Sequence, residues 1–260
     1  MDSLRISRIF FSYAFLAVAT TLAAASVSVG LSGAQRQRTI RGDNKHKLKV
    51  LYFDIEGKGE AIRLLCAYAG LGLEDCRINK QEFDRIKSDL PFGQLPILYC
   101  TDSTGDTKVL CQSAAIMRYL GKVSGLYPED PFLAAKVDAI IDEENDLFMG
   151  LSVSKYKERF GFGFMSAVET AVVRKSLNDV ILPKHLGALE HILKQRVSDK
   201  HFVADTKQPT IADFILVPRL KTLQSGQTEG IDVDILRNFP LLKEYMTSFY
   251  NLPVIKSYYA

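Results

Sequence analysis

The chain has 260 residues and only four cysteines, Cys66, Cys76, Cys100 and Cys111, none of them in a CxxC pair. Dithiol exchange and cysteine-based metal binding are therefore not expected, and the four read as small apolar residues. HExxH, the P-loop and GxGxxG are all missing, so the signatures of zinc proteases, P-loop hydrolases and dinucleotide enzymes are absent. No unit of about 20–50 residues repeats, which removes solenoids and propellers. Net charge is small, +3, and the first 47 residues carry seven Lys/Arg against two acids. The remainder is thus slightly acidic and offers no basic footprint for nucleic acid.

Long apolar runs are equally scarce, with one exception. Arg5 and Arg8 precede an uncharged stretch from Ile9 to Gln35, long enough to cross a bilayer but diluted by Ser, Thr, Ala and Gly. It reads as a signal peptide or signal anchor, with Ala23, Ala24, Ala25, Gly33 and Ala34 as small residues for cleavage. Secretory entry or membrane anchoring is the expectation. Organelle import by a cleaved transit peptide is the rival, since Ser and Arg are frequent and Asp2 is the one early acid. Residues 1–47 are expected to lie outside the fold.

The folded part begins at Leu48–Arg63, LKVLYFDIEGKGEAIR. A short apolar strand carries Tyr52 near its end, a turn of Asp54, Glu56, Gly57, Lys58 and Gly59 follows, and a helix opens at Glu60. A tyrosine hydroxyl at a strand-to-helix junction stands at a sheet edge, where open α/β layers bind ligands; the plain alternative is a half-buried strand aromatic. Strands are expected at 48–53, 73–79, 97–100 and 108–110, with helices at 59–69 and 113–122. A polar loop should lie between residues 79 and 97. The TDSTGDT turn joins the last two strands as a hairpin. With the polar loop standing in the place of the second helix, this follows the β-α-β-α-β-β-α order of a thioredoxin-like layer, with Glu56-Gly57-Lys58-Gly59 where a redox member would hold CxxC.

Two further places offer ligand chemistry. Pro96 follows Leu95 ahead of an apolar strand, where a cis bond would form a tight turn and expose the Leu95 backbone to strand-like pairing with a peptide-like ligand; an ordinary proline-bounded loop is the alternative. Ser113 opens a helix, so its hydroxyl and the adjacent N–H groups suit an anion, or make a plain N-cap.

After the proline-bounded linker Tyr127–Pro131 the pattern is helical to Ala260. Val137, Ile140, Ile141, Glu144, Leu147 and Phe148 form one stripe at spacings of three and four. A break is expected over 152–163, then a long amphipathic stretch over 167–197 joined or kinked at Pro183. Thr210-Ile211-Ala212-Asp213 is a capping-box variant opening a helix to Leu223. A last helix is expected over 240–250, followed by a tail. The expected organisation is a targeting segment (1–47), a thioredoxin-like domain (48–127) and an all-α helical domain (128–260).

Tyr52, Gly93-Gln94-Leu95-Pro96 and Gln112-Ser113-Ala114-Ala115-Ile116 occur in an order and spacing that resembles the cytosolic glutathione transferases, over about residues 48–260. The YFD…GKGEAIR and PFGQLP wording looks most like the sigma class. The resemblance implies that Tyr52 donates a hydrogen bond to the glutathione sulfur, Leu95 pairs with its cysteinyl backbone, and Gln112 and Ser113, with Gln94 nearby, hold the γ-glutamyl end. Pro96 would shape the turn, and Lys87 would lie near the glycine carboxylate. Phe83 stands where the sigma class usually has a tryptophan, and Lys58 where the family usually has an arginine close to the sulfur. Asp146 matches an acid that reaches the partner's bound glutathione across a homodimer, or is a solvated helix carboxylate. The electrophile would meet Ile55, Phe148, Met149, Ser152 and Tyr156. Glutathione is implied as co-substrate, a small hydrophobic electrophile as the second substrate, and no metal. The implied activity is detoxifying conjugation. Prostaglandin endoperoxide isomerisation, hydroperoxide reduction, and a non-enzymatic ligand-binding or structural relative are the alternatives.

Overall fold

Strand β2 (Lys47–Phe53) is buried on both faces, which explains its nearly continuous apolar sequence. In the computed structural model, which describes residues 37–40, 47–197 and 201–260, Leu48 and Val50 face the main core with α1 (Glu60–Tyr68) and α3 (Ser113–Ser124). Leu51 faces a smaller cluster with Cys76, Ile78, Phe83, Leu90 and Ile97. β3 (Leu73–Ile78) pairs parallel to β2, while β4 (Ile97–Thr101) and β5 (Thr107–Cys111) complete the layer antiparallel. This is the expected thioredoxin-like sheet.

The sheet has one strand more than expected. β1 (Gln37–Ile40) pairs antiparallel with β3 at the edge, so residues 1–47 do not all lie outside the fold. Isolated by charged and glycine residues, this short run gave no period-2 signal; an open edge of β3 selects it. The uncharged run Ile9–Gln35 lies outside the described residues.

The polar loop after β3 is instead a helix, α2 (Lys80–Ile86), continued by a 3-10 turn. Asn79 and Glu82 close a reciprocal capping box: the Asn79 side chain accepts from the Glu82 N–H at 2.9 Å, and the Glu82 carboxylate accepts from the Asn79 N–H at 2.8 Å. With only Phe83 and Ile86 apolar, its stripe is too short to register as a period.

The helical part follows the expected order. α4 (Pro131–Lys155) is capped by Asp130 and buries every residue of the predicted stripe. It continues past residue 152, and the chain breaks only at Tyr156. α5 (Ala167–Ser176) and α6 (Leu182–Lys194) are joined by a π-helical turn just before Pro183. α7 (Ile211–Leu223) opens at the Thr210–Asp213 box. α8 (Pro240–Tyr250) ends as expected, but the tail forms α9 (Pro253–Tyr259). α9 packs on α1, where the Tyr259 hydroxyl donates to Glu60 at 2.8 Å.

A buried arginine fastens the β2–α1 turn. Arg63 is fully buried; its Nε donates to both Asp75 oxygens at 3.0 Å, and its fork donates to Glu60 at 3.1 Å and to the Ile55 carbonyl at 3.0 Å. Arg63→Met would free that turn and leave buried carboxylates uncompensated. We expect it to lower unfolding free energy by about 3 kcal/mol, read from the urea midpoint at unchanged slope.

Candidate active site

Tyr52 ends β2 directly beside the β2–α1 turn and is 8% exposed. Its hydroxyl oxygen accepts a hydrogen bond from the Lys58 backbone N–H at 3.0 Å. That contact leaves the phenolic hydrogen free for another acceptor and, by polarising the O–H, strengthens it as a donor. Burial raises the phenol's pKa, outweighing the Lys58 hydrogen bond and the nearby Arg219 charge, which lower it. Tyr52 therefore remains a neutral donor at neutral pH.

The two glycines of the turn permit this arrangement. A Cβ on Gly57 would lie 2.6 Å from the Tyr52 hydroxyl oxygen, and one on Gly59 would lie 2.6 Å from the ring. Gly57 also has φ +42°. A methyl at Gly59 has nowhere to go unless the ring moves. Gly59→Ala should keep the fold, by far-ultraviolet circular dichroism, yet displace the hydroxyl and lower turnover by about 100-fold, the scale of a misplacement near 1 Å.

A cleft opens beside Tyr52 between the sheet layer and the helices, lined by Gly57, Lys58, Ala61, Ser113, Glu144, Ile215, Pro218 and Arg219. Lys58 crosses it to donate to Asn145 of α4 at 3.2 Å. Burial lowers the Lys58 pKa, partly countered by Glu144. Arg219 of α7 donates to the buried Glu144 at 2.8 Å and lies over the Phe148 ring, 3.8 Å from its centroid. Glu144 thus sits in an apolar stripe because Arg219 meets it there.

Of the predicted glutathione-binding residues, Lys58 and Ser113 line this cleft. The Leu95–Pro96 bond is cis, with Pro96 buried and Leu95 just ahead of β4, outside its ladder. Gln112 holds φ 69° and ψ 114°, a strained setting for a side chain with a Cβ. It occupies the N-cap position of α3 with no side-chain cap, so Ser113 is the first helical residue and not the cap. The uncapped helix start leaves N–H donors available beside Ser113. Gln94 is half-buried, and the exposed Lys87 stem lies against Gly93.

Two further expected site residues are buried. Phe83 lies in the smaller core cluster, its ring 5.2 Å from that of Phe53, so it packs the sheet. Phe148 is likewise buried and its face is covered by Arg219, so it supports the cleft from behind. Ile55, Met149 and Tyr156 are exposed and Ser152 is half-buried. Met149, Ser152 and Tyr156 fall at helical spacing along the end of α4 and just past it. Asp146 is exposed, while its neighbours Glu144 and Asn145 supply the cleft contacts. Arg63, Arg219, Glu144 and Asn145 were not predicted. A lone arginine in the apolar start of α1 and a lone glutamate in the α4 stripe were the available signals. Among the described residues no three His, Cys, Asp or Glu side chains cluster to hold a metal.

Residues 48–122 match the family description "Glutathione S-transferase, N-terminal domain", and residues 162–260 match "Glutathione S-transferase, C-terminal domain". The chain is 35% identical over 215 residues to Glutathione S-transferase 1 of Ascaris suum, covering 82% of this chain and 95% of that one. It is 33% identical over 166 residues to the Hematopoietic prostaglandin D synthase of Gallus gallus, covering 64% of this chain and 74% of that one. The crystal structure of the glutathione S-transferase from Ascaris lumbricoides superposes with a TM-score of 0.64 at 34% identity, over 82% of this chain and 95% of that one. A tyrosine donor beside a two-domain cleft, both family domains in order, and full-length relatives agree: the chain belongs to the glutathione S-transferase family.

Proposed function

We propose that the cleft binds glutathione with its sulfur at the Tyr52 hydroxyl, and that the enzyme joins the thiolate to small hydrophobic electrophiles. The observation that carries this reading is Tyr52 itself: neutral, buried, and already accepting from Lys58 N–H at 3.0 Å, with its own hydrogen uncommitted. A free thiol ionises near pH ~8.5 and only the thiolate attacks. A donor to the charged sulfur lowers that value. Lys58 and Arg219 add positive charge along the same wall. Leu95 offers unpaired backbone to the cysteinyl unit, Gln112 and Ser113 with Gln94 receive the γ-glutamyl end, and Lys87 lies toward the glycine carboxylate. Ile55, Met149, Ser152 and Tyr156 form the electrophile side. The functional unit is a homodimer in which Asp146 reaches the partner's glutathione. The test is conjugation of glutathione to a generic aryl halide by the full chain, with glutathione affinity measured in parallel. Turnover supports the reading; binding without turnover favours a non-enzymatic relative.

Isomerisation of a prostaglandin endoperoxide is a second reading, favoured by the similarity to the Gallus gallus prostaglandin D synthase. It uses the same thiolate and differs in the product, so product analysis separates the two.

The segment before the fold directs the chain to the secretory pathway or anchors it in a membrane, with organelle import as the rival destination. The support is the uncharged run Ile9–Gln35 behind Arg5 and Arg8. No described helix is long and apolar enough to cross a membrane. A reporter fused to residues 1–47 is expected to appear in the secretory pathway or membrane fraction. A reporter that stays soluble in the cytosol overturns the assignment.

A further inference from the structure

The segment between α4 and α5, KYKERFGFGFM over residues 155–165, turns aromatic rings outward instead of folding them into the core. Phe160 is 42%, Phe162 40% and Phe164 77% exposed, and Tyr156 is exposed beside them. Three phenylalanines at alternate positions on a solvated tip exceed the scattered apolar residues of an ordinary surface. They are not there because the loop is slack. Gly161 turns the chain at φ +80°, Phe162 N–H donates to the Lys157 carbonyl at 2.8 Å, and Met165 N–H donates to the Phe162 carbonyl at 3.0 Å. Lys157 fixes the base of the loop, its ammonium donating to the Met165 carbonyl at 2.7 Å and to Thr170 at 3.3 Å. The rings are thus held apart from the core by a braced backbone.

Cations flank the rings. Lys155 lies over the Tyr156 ring and Arg159 over the Phe160 ring, at 5.7 and 5.4 Å from the centroids. From Lys155 to Phe164 there are three basic residues and one acid, Glu158, within a folded portion whose net charge is slightly negative. Aromatic rings framed by cations suit one environment: the headgroup boundary of an anionic bilayer. There the rings reach the acyl region while Lys and Arg meet phosphate. Phe162 and Phe164 lean together, their ring centroids 6.0 Å apart, with Phe160 beside them in sequence; a protein partner needs a shaped complement to this group, whereas a lipid surface needs none.

We propose that this loop is a membrane-docking tip that inserts Phe160, Phe162 and Phe164 into an anionic lipid surface. The tip follows directly on α4, whose Glu144 and Asn145 reach the candidate cleft about three turns earlier along the helix. Docking there brings the cleft to the phase in which apolar electrophiles concentrate. The inference uses the folded residues alone and stands whether or not residues 1–47 target a membrane or the cleft conjugates glutathione.

The chain contains no tryptophan, so a single introduced one reports only its own surroundings. In the full chain, Phe164→Trp places the probe on the tip. Phe132→Trp places it at the exposed start of α4, a helix length away, roughly 35 Å. With vesicles of phosphatidylcholine plus phosphatidylserine, emission at position 164 should shift to the blue and be quenched by brominated lipid, while position 132 stays unchanged. Added salt, or omission of phosphatidylserine, should weaken the response. No change at 164, or equal changes at both positions, overturns the proposal. Combined F160S, F162S and F164S should lower vesicle partitioning by about tenfold or more at unchanged melting temperature and oligomeric state. Unchanged partitioning overturns it, and so does a change of oligomeric state without loss of partitioning, which would assign the loop to a protein contact.

Discussion

Tyr52→Phe is expected to lower kcat/KM for glutathione conjugation by about 10- to 100-fold while leaving glutathione affinity nearly unchanged. The variant removes one hydroxyl whose hydrogen is free to meet the sulfur, because the oxygen already accepts from Lys58 N–H. A hydrogen bond to a charged partner contributes about 1.5–3 kcal/mol, and each unit of thiol pKa corresponds to about 1.4 kcal/mol. In the proposed binding mode glutathione is also held along its length by backbone and polar groups, so its affinity should change little. The pH dependence distinguishes this account from a general loss of shape. Burial raises the Tyr52 pKa, so the phenol keeps its proton through the range in which a thiol titrates. The rate of the wild type should therefore follow one ionisation, that of the bound thiol, lying below the free-thiol value. In Tyr52→Phe that ionisation moves up. The ratio of wild-type to variant rates is then largest at acid pH and narrows as pH rises past the thiol's own pKa. A ratio constant with pH, or a parallel loss of glutathione binding, would contradict thiolate stabilisation by Tyr52.

Asp213→Ala should be the most destabilising single change, by about 4 kcal/mol, within the range for uncovering buried charge-assisted partners. Asp213 is wholly buried. One carboxylate oxygen accepts from Val203 N–H at 2.9 Å and the Tyr245 hydroxyl at 2.7 Å; the other accepts from Thr210 N–H at 2.7 Å and the Thr210 hydroxyl at 3.0 Å. These donors belong to the N-terminal end of α7, the turn before it, and α8. Truncation leaves all of them without partners in a dry interior. Asp213→Asn keeps one acceptor oxygen but turns an amide toward the other donors, so it should recover only part of the loss. Urea unfolding of the three proteins tests the order wild type, Asn, Ala. A loss below about 1 kcal/mol for Ala would mean that water replaces the carboxylate, contrary to its burial.

Local chemistry in the sequence was enough to place most elements. The Thr210–Asp213 box fixed the start of α7, and Pro131 and Pro240 marked the starts of α4 and α8. The apolar strand carrying Tyr52, the hairpin turn and the cis bond before Pro96 were legible because each depends on neighbours a few residues away. The smaller helices were not. α2 has a capping box but almost no apolar stripe, and α9 is short and held mainly by its docking on α1. Such helices form because a tertiary surface receives them, and helical propensity over a few residues is too weak to announce it.

The candidate site divides in the same way. The sequence by itself determined the residue types: the tyrosine donor, the glycines that clear space for its ring, the proline turn and the polar start of α3. Tertiary structure alone decided which groups face one another. Arg219 reaches Glu144 across 75 residues, and Lys58 reaches Asn145 across 87. Phe83 and Phe148 are core residues because of what packs on them, not because of their own character. The positive φ of Gln112 is imposed where β5 meets α3, by a backbone path that a glutamine does not encode. Hydrogen bonds and packing between distant segments depend on the closed fold, whose loop-closure entropy is repaid only when many such contacts form together. No local window of sequence carries them.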